Sequence, residues 1–168
     1  MTGEHLSPDV QELLQLLHRY RVRYLIVGGE AVIFHGYPRL TGDIDLFYDR
    51  TPSNVKRLFR ALSDFWGGEV PAVDGPDDLL NPSVVVQFGR PPNRVDLLSS
   101  LGSVTFEGAW SRRVSESLRT VANTRCRVHL IGVRDLMRAK REAGRHKDLD
   151  DIEHLAALSK KRPGRRPR

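Results

Sequence analysis

Two aspartates on one short segment constrain this sequence more than any other feature. Residues 43–48 read Asp-Ile-Asp-Leu-Phe-Tyr, and this alternation of acidic and apolar side chains is typical of a β-strand. Successive side chains of a strand point to opposite faces, so Asp43 and Asp45 share one face and the apolar residues share the other. Because the apolar face is expected to be buried, the adjacent carboxylates need a bound cation or a retained proton to offset their repulsion.

A glycine pair precedes this strand by about a dozen residues. Residues 24–27 predict a strand, Gly28 and Gly29 predict a turn, and residues 30–35 predict a short helix. A glycine turn lets backbone N–H groups point outward, and a helix N-terminus favours an anion such as phosphate. A glycine pair alone is usually only a turn, and Asp-x-Asp alone is often a solvated strand end. Joined at this spacing, they indicate a metal-bound polyphosphate site of the kind used in nucleotidyl transfer.

The combined pattern resembles the polymerase-beta-type nucleotidyltransferases. Their signature is a Gly-Gly or Gly-Ser turn followed about a dozen residues later by a carboxylate-apolar-carboxylate strand, which here is Gly28-Gly29 and then Asp43-Ile44-Asp45. The resemblance implies an enzyme that uses two Mg²⁺ ions, bridged by Asp43 and Asp45, and an NTP as substrate.

The same family places a third carboxylate on a strand beside the pair. Residues 84–88 and 94–98 predict two strands compatible with a hairpin, and the second carries Asp96 between two apolar residues. The resemblance therefore implies that Asp96 joins Asp43 and Asp45 as a catalytic metal ligand. The alternative is a structural acid paired with an arginine on the same face, such as Arg94.

The end of the chain carries a second resemblance. Residues 133–159 predict two helices divided near Gly144, and the segments 135–140 and 144–151 resemble the closing helices of the bacterial AbiEii toxin-like small nucleotidyltransferases. This resemblance implies that Lys140 approaches the nucleotide phosphates. The nucleotide-binding candidates come from the glycine turn, the loop before the aspartates and these closing helices. They are Gly28, Gly29, Arg39, Thr41, Lys140, Arg145 and Asp148. For Thr41, contact with phosphate and support of the loop both stay open.

The order of predicted elements indicates an α/β fold, a small mixed sheet with flanking helices, in a single domain over residues 1–159. The strands described above are joined by segments with less specific signals. These predict helices over residues 7–21, 51–66 and 106–114, a helical turn at 77–80 in a loop, and strands over residues 119–122 and 128–131.

Charge is concentrated at the C-terminus. The chain of 168 residues has 27 lysines and arginines against 21 acidic residues, and residues 160–168 contribute six cations and no anion. We expect this segment to be a disordered tail, serving either solubility or nucleic-acid binding.

Cys126 is the single cysteine, which excludes an internal disulfide and favours the cytoplasm. No targeting segment is recognised and no apolar run approaches the roughly 18 residues of a membrane span, so we expect no membrane partner.

Three functions fit these observations. The first is a toxin–antitoxin component that transfers an NMP group to an RNA 3′ end, such as that of tRNA, or to a protein side chain, with a cognate toxin or antitoxin as partner. The second is an antibiotic nucleotidyltransferase, since such relatives share the glycine and aspartate pattern. The third is a non-catalytic antitoxin or binding module on the same fold. The basic tail favours an RNA acceptor.

Overall fold

The computed structural model of the protein describes residues 6–90 and 93–161, and side chains through residue 158. Six α-helices and six strands are found in these residues. The helices are α1 (Pro8–Arg19), α2 (Gly28–Phe34), α3 (Pro52–Trp66), α4 (Phe106–Ser111), α5 (Val133–Ala143) and α6 (His146–Lys161). The strands are β1 (Tyr24–Val27), β2 (Asp43–Tyr48), β3 (Val85–Phe88), β4 (Arg94–Leu98), β5 (Val114–Arg119) and β6 (Arg125–Leu130). The predicted turn before β3 is a 3-10 helix at Pro76–Leu80.

All six strands form one mixed sheet in the order β3-β4-β2-β1-β6-β5. The pairs β2–β4 and β1–β6 are parallel, and the other three pairs are antiparallel. The predicted α/β class with a small mixed sheet and flanking helices is confirmed.

Two apolar cores lie on opposite faces of this sheet. One core joins α1 and α3 to the face that carries Ile44 and Leu46. The other joins α2, α4, α5 and α6 to the face that carries Phe47. Since side chains alternate along a strand, Asp43 and Asp45 lie on the Phe47 face, toward the C-terminal helices. The alternation predicted for this strand is therefore confirmed.

The region between α4 and α5 differs from the prediction. The predicted strand at residues 119–122 is wrong, because β5 ends at Arg119 and residues 120–124 form a turn closed by the Thr120 N–H bond to the Thr124 carbonyl, 3.0 Å long. Within this turn Asn123 takes a positive φ of 60° and Val121 is exposed. An edge strand with several polar residues has only a weak apolar alternation, so the sequence pattern did not reveal β5.

The basic tail predicted over residues 160–168 lies outside the described residues, except for its first two positions. The backbone of Lys160 and Lys161 continues α6. Within the described part of the chain, no helix is long and apolar enough to cross a membrane.

Candidate active site

Three predicted carboxylates meet on one face where β2 and β4 run side by side. The parallel register places Asp45 opposite Asp96 and Asp43 opposite Arg94. Cross-strand partners in register have neighbouring side chains on the same face of the sheet. The fold thus brings Asp96 beside the Asp43 and Asp45 pair, although it lies about fifty positions later in the sequence.

An arginine lies among these carboxylates. Arg94 Nη2 is 2.8 Å from Asp43 Oδ2, and Arg94 Nε is 2.9 Å from Asp96 Oδ1. The ion pair considered from the sequence as an alternative for Asp96 is therefore present. The other carboxylate oxygen of Asp43, Oδ1, is buried and accepts no hydrogen bond from the described residues. A buried carboxylate oxygen without a partner is costly, and a cation or an N–H donor would offset that cost.

Asp45 is the carboxylate whose charge is least compensated. Burial raises its pKa, and the nearby charges of Asp96 and Asp43 raise it further, whereas Lys140 and Arg145 act in the opposite direction. No hydrogen bond or ion pair to Asp45 is found among the described side chains, and its carboxylate faces the glycine turn. A cation at this position would stabilise the ionised form of Asp45.

Glycine is required at the turn because other groups approach it closely. Gly28 has a positive φ of 61°, and a Cβ atom built there would overlap the Asp45 carboxylate. A Cβ on Gly29 would lie 2.5 Å from Thr41 Oγ1 and 2.8 Å from an Arg39 guanidinium nitrogen. The pair lets the carboxylate and the loop before β2 pack against the start of α2. This helix begins at Gly28, earlier than the predicted residue 30.

Lys140 is not a free surface cation. Its side chain on α5 is only about 5% exposed, and Nζ lies 3.0 Å from Asp148 Oδ1 and 2.7 Å from Asp151 Oδ2. Arg145 Nε contacts the other oxygen of Asp148 at 2.6 Å, and Arg39 Nε contacts Asp151 at 3.3 Å. Five charges of alternating sign therefore connect the loop before β2 with α5 and α6.

This charge network changes the expected role of each cation. Burial raises the pKa of Asp148, but hydrogen bonds from Arg145 and Lys140 outweigh burial, so the pKa is lowered and the carboxylate stays ionised. Lys140 is thus already neutralised by two buried aspartates. Arg145, whose side chain is 63% exposed, is the most solvent-accessible cation of this network. Asp151 was absent from the predicted set, although its i+3 spacing from Asp148 places both on one helix face.

A small cavity of about 100 Å³ connects the two groups of residues. Its lining includes predicted site residues from α2, β2, α5, α6 and the connection between the last two helices. Those predicted residues are Gly28, Asp45, Lys140, Arg145 and Asp148. A larger cavity of about 700 Å³ lies beyond the other end of β2 and is lined by none of the predicted site residues.

The described residues contain no group of three or more His, Cys, Asp or Glu side chains already arranged around a metal position. The donor set nevertheless fits a hard divalent cation, because carboxylate oxygens are the ligands that Mg²⁺ prefers. The partnerless Oδ1 atom of Asp43 and the raised pKa of Asp45 point the same way. Arg94 balances the charge in the absence of such a cation.

Comparison with known proteins places the chain in a family. No curated protein matches it. A family model described as a nucleotidyltransferase of unknown function (DUF6036) matches residues 4–161, which include every predicted site residue. Since the match spans most of the chain, the protein belongs to this family of nucleotidyltransferases.

Proposed function

We propose that the protein is a Mg²⁺-dependent nucleotidyltransferase that moves an NMP group from an NTP to the hydroxyl of an RNA 3′ end, with tRNA as the leading acceptor. One observation carries this proposal. Asp43, Asp45 and Asp96 share one face of the sheet, and an oxygen of Asp43 is buried there without a partner.

The three aspartates would hold the metal ions. Bound Mg²⁺ supplies positive charge to the triphosphate and lowers the pKa of a bound hydroxyl. Asp43 and Asp45 would hold the ions, and Asp96 would assist removal of the acceptor proton. The acceptor oxygen forms a bond to the α-phosphorus, the bond from that phosphorus to the bridging oxygen breaks, and pyrophosphate leaves.

The surrounding residues would position the nucleotide. Backbone N–H groups of Gly28 and Gly29 would donate to phosphate oxygens, as the family resemblance implies. Arg145 is exposed and lies close enough to Asp45 to affect its pKa, so its guanidinium would offset phosphate charge. Lys140 would act indirectly, by holding the buried aspartates of α6 in place.

The loop before β2 would be a positioning element. Arg39 connects it to α6 through Asp151, and Thr41 Oγ1 lies 3.4 Å from the Asp43 carbonyl oxygen. These contacts support the loop-support role for Thr41. They also give Arg39 a protein partner, so its contribution to phosphate binding would come from the part of its guanidinium beside Gly29.

A biological setting follows from the resemblance of the closing helices. In this setting the enzyme would be an AbiEii-like bacterial toxin–antitoxin component that acts in the cytoplasm with a cognate partner. A protein side chain as acceptor and an antibiotic hydroxyl are the alternatives within the same chemistry.

A second function is favoured by Arg94. Its contacts with Asp43 and Asp96 provide a counter-ion without any metal, which suits a non-catalytic antitoxin or binding module. Transfer assays separate the two functions. The purified protein is incubated with Mg²⁺ and each labelled NTP, with and without total tRNA. Label that appears in tRNA and disappears with Asp43→Asn supports the enzyme. No transfer to any acceptor, together with no NTP binding, supports the binding module.

A further inference from the structure

A basic cleft lies at the end of the sheet opposite the glycine turn. It has a volume of about 540 Å³ and opens where α1 ends and β1 begins. The arginines and histidines that line it are His18, Arg19, Arg21, Arg23, Arg127 and His129. No acidic side chain of the described residues lines this cleft.

This accumulation of positive charge is local. Without the six cations of residues 160–168, the chain has 21 basic and 21 acidic side chains, so the rest of the protein is neutral overall. Four arginines around one cavity therefore create a positive region on a neutral domain. A concave positive surface concentrates field lines and attracts polyanions.

Three of these arginines are available for a ligand. Arg23 is already paired with Asp49 at 3.0 Å and with Glu107 at 2.7 Å. In contrast, Arg19, Arg21 and Arg127 are exposed, and no ion pair or hydrogen bond of their side chains is found among the described residues. Their charges face solvent and the cleft.

The backbone at Arg21 closes the C-terminal end of α1. This residue follows the C-terminal end of α1 with a positive φ of 53°, a conformation for which glycine is favoured at helix ends. An arginine there is less stable than glycine would be. The Arg21 and Val22 N–H groups donate to the His18 and Leu17 carbonyls, so this conformation belongs to the end of the helix and places the Arg21 side chain beside the cleft.

Aromatic groups accompany the cations. The Arg113 guanidinium lies 4.0 Å from the centre of the Trp110 ring, and Arg23 lies 5.0 Å from it. Positively charged grooves with aromatic side chains are typical of proteins that bind single-stranded nucleic acid. Trp110 lines the cleft, and its ring packs against Arg113 and Phe106.

His129 reports the electrostatic environment of the cleft. Burial, together with the charges of Arg113, Arg127 and His18, lowers its pKa to about 4. The imidazole is therefore neutral at pH 7. A bound anion would counteract the arginine charges and raise this pKa.

We propose that this cleft binds the phosphodiester backbone of an RNA strand through Arg19, Arg21 and Arg127. The choice of RNA rests on the proposed function, which it deepens by giving the acceptor a docking surface away from the carboxylates. The four residues of β1 separate the cleft from Gly28, a distance on the order of 13 Å. An RNA strand covers that distance within a few nucleotides.

Binding of a fluorescent single-stranded RNA oligonucleotide to the full chain tests this proposal. Anisotropy is measured across a salt series for the wild type, for the double variant Arg21→Gln/Arg127→Gln, and for the control Lys56→Gln/Arg141→Gln. The control removes the same charge from exposed residues outside the cleft. We expect the cleft variant to lose on the order of tenfold in affinity at 0.1 M salt, with a salt slope lower by about 1.4, and the control to match the wild type.

Further measurements separate this proposal from the proposed function. The variant Asp45→Asn should keep RNA affinity while losing transfer, and the cleft variant should keep NTP affinity. Binding of RNA should also raise the pKa of His129, which NMR can follow.

Equal RNA affinity in the cleft variant and the control overturns the cleft as the docking surface. Polyglutamate of matched charge is also tested as a competitor of the fluorescent RNA. If it displaces the RNA as well as unlabelled RNA does, RNA is overturned as the ligand and an acidic protein partner is indicated. Either result leaves nucleotidyl transfer at the carboxylates intact.

Discussion

Arg94 donates to Asp43 across two parallel strands, with Nη2 2.8 Å from Oδ2. The register of β2 and β4 sets this contact, because it pairs these two residues directly. The same guanidinium also contacts Asp96, so Arg94 compensates two of the three carboxylates proposed to bind metal. A divalent cation at these carboxylates must compete with Arg94 for their charge.

Removing this competitor should strengthen metal binding. The change Arg94→Gln is expected to raise Mn²⁺ affinity about two- to fivefold, since a partly exposed ion pair contributes up to about 1 kcal/mol. Titration calorimetry or the EPR signal of free Mn²⁺ measures this in the absence of nucleotide. Arg138→Gln, which removes an exposed ion pair with Glu142, is the matched control. Weaker Mn²⁺ binding by Arg94→Gln than by this control would contradict the competition.

Asp45→Asn should abolish transfer without unfolding the protein. Because the folded-state pKa of Asp45 is raised, the native protein binds its proton more tightly than the unfolded chain. Protonation of Asp45 therefore adds to the free energy of unfolding at pH values below the unfolded-state pKa. This addition is lost as pH rises through the folded-state pKa. The asparagine variant lacks this contribution and should be at least as stable as the wild type at pH 7. Urea unfolding between pH 3 and 7 measures it. Marked destabilisation at pH 7 would indicate a structural role for this carboxylate.

Lys140 and Arg145 should respond differently to truncation. Lys140→Ala leaves two buried aspartates without their shared cation, which should cost about 3–5 kcal/mol of stability. Arg145→Ala removes a largely exposed side chain, so its main effect should be weaker binding of a non-hydrolysable NTP. Thermal unfolding and titration calorimetry on both variants test this. A stable Lys140→Ala variant with lost NTP affinity would instead restore the phosphate-contact role.

These expected effects differ from the role that the family resemblance gives Lys140. The helical pattern places a lysine near an apolar stripe, and the family resemblance assigns it to the phosphates. Periodicity does not specify which side chain of the next helix lies opposite, so the burial of Lys140 between Asp148 and Asp151 could not be foreseen. The face shared by Asp43 and Asp45 was predictable, because it follows from strand alternation within six residues.

Two other features show the same limit. The face of Asp96 was predicted from alternation within β4, but its partner across the sheet depends on register, which only the fold determines. The edge strand β5 has polar residues at most positions, so its sequence carried little signal. Local patterns therefore gave the candidate carboxylates, and long-range packing determined which charges neutralise them.

Gly28→Ala should disrupt the site through contact with Asp45. Gly67 is a useful control, because it also has a positive φ, 69°, but has open space where a Cβ would lie. Gly67→Ala measures backbone strain alone, roughly 1 kcal/mol. Gly28→Ala should cost more, and the double variant Gly28→Ala/Asp45→Ala should recover the difference because the clashing carboxylate is gone. Chemical denaturation of the four proteins checks this. Equal costs for the two single variants would mean that Asp45 does not press against the turn.

Deletion of residues 162–168 tests whether the basic tail contributes to acceptor binding. The truncated chain retains the whole of α6, which ends at Lys161, and loses four of the six tail cations. If the tail contacts RNA, its loss should reduce the salt slope of tRNA binding by up to about 3 and leave NTP affinity unchanged. A tail that only concentrates RNA near the enzyme would raise KM and leave kcat unchanged on deletion.

The tail and the basic cleft can be separated by combining their variants. If the tail and the cleft contact RNA independently, the salt slopes lost in the truncation and in Arg21→Gln/Arg127→Gln should add in the combined protein, since independent sites are additive. A chain of the same length with uncharged residues at 162–168 controls for length. Transfer to tRNA is then followed for all variants across the salt series. Kinetics unaffected by the deletion at every ionic strength would exclude the tail from acceptor binding and leave the cleft as the RNA contact to be tested.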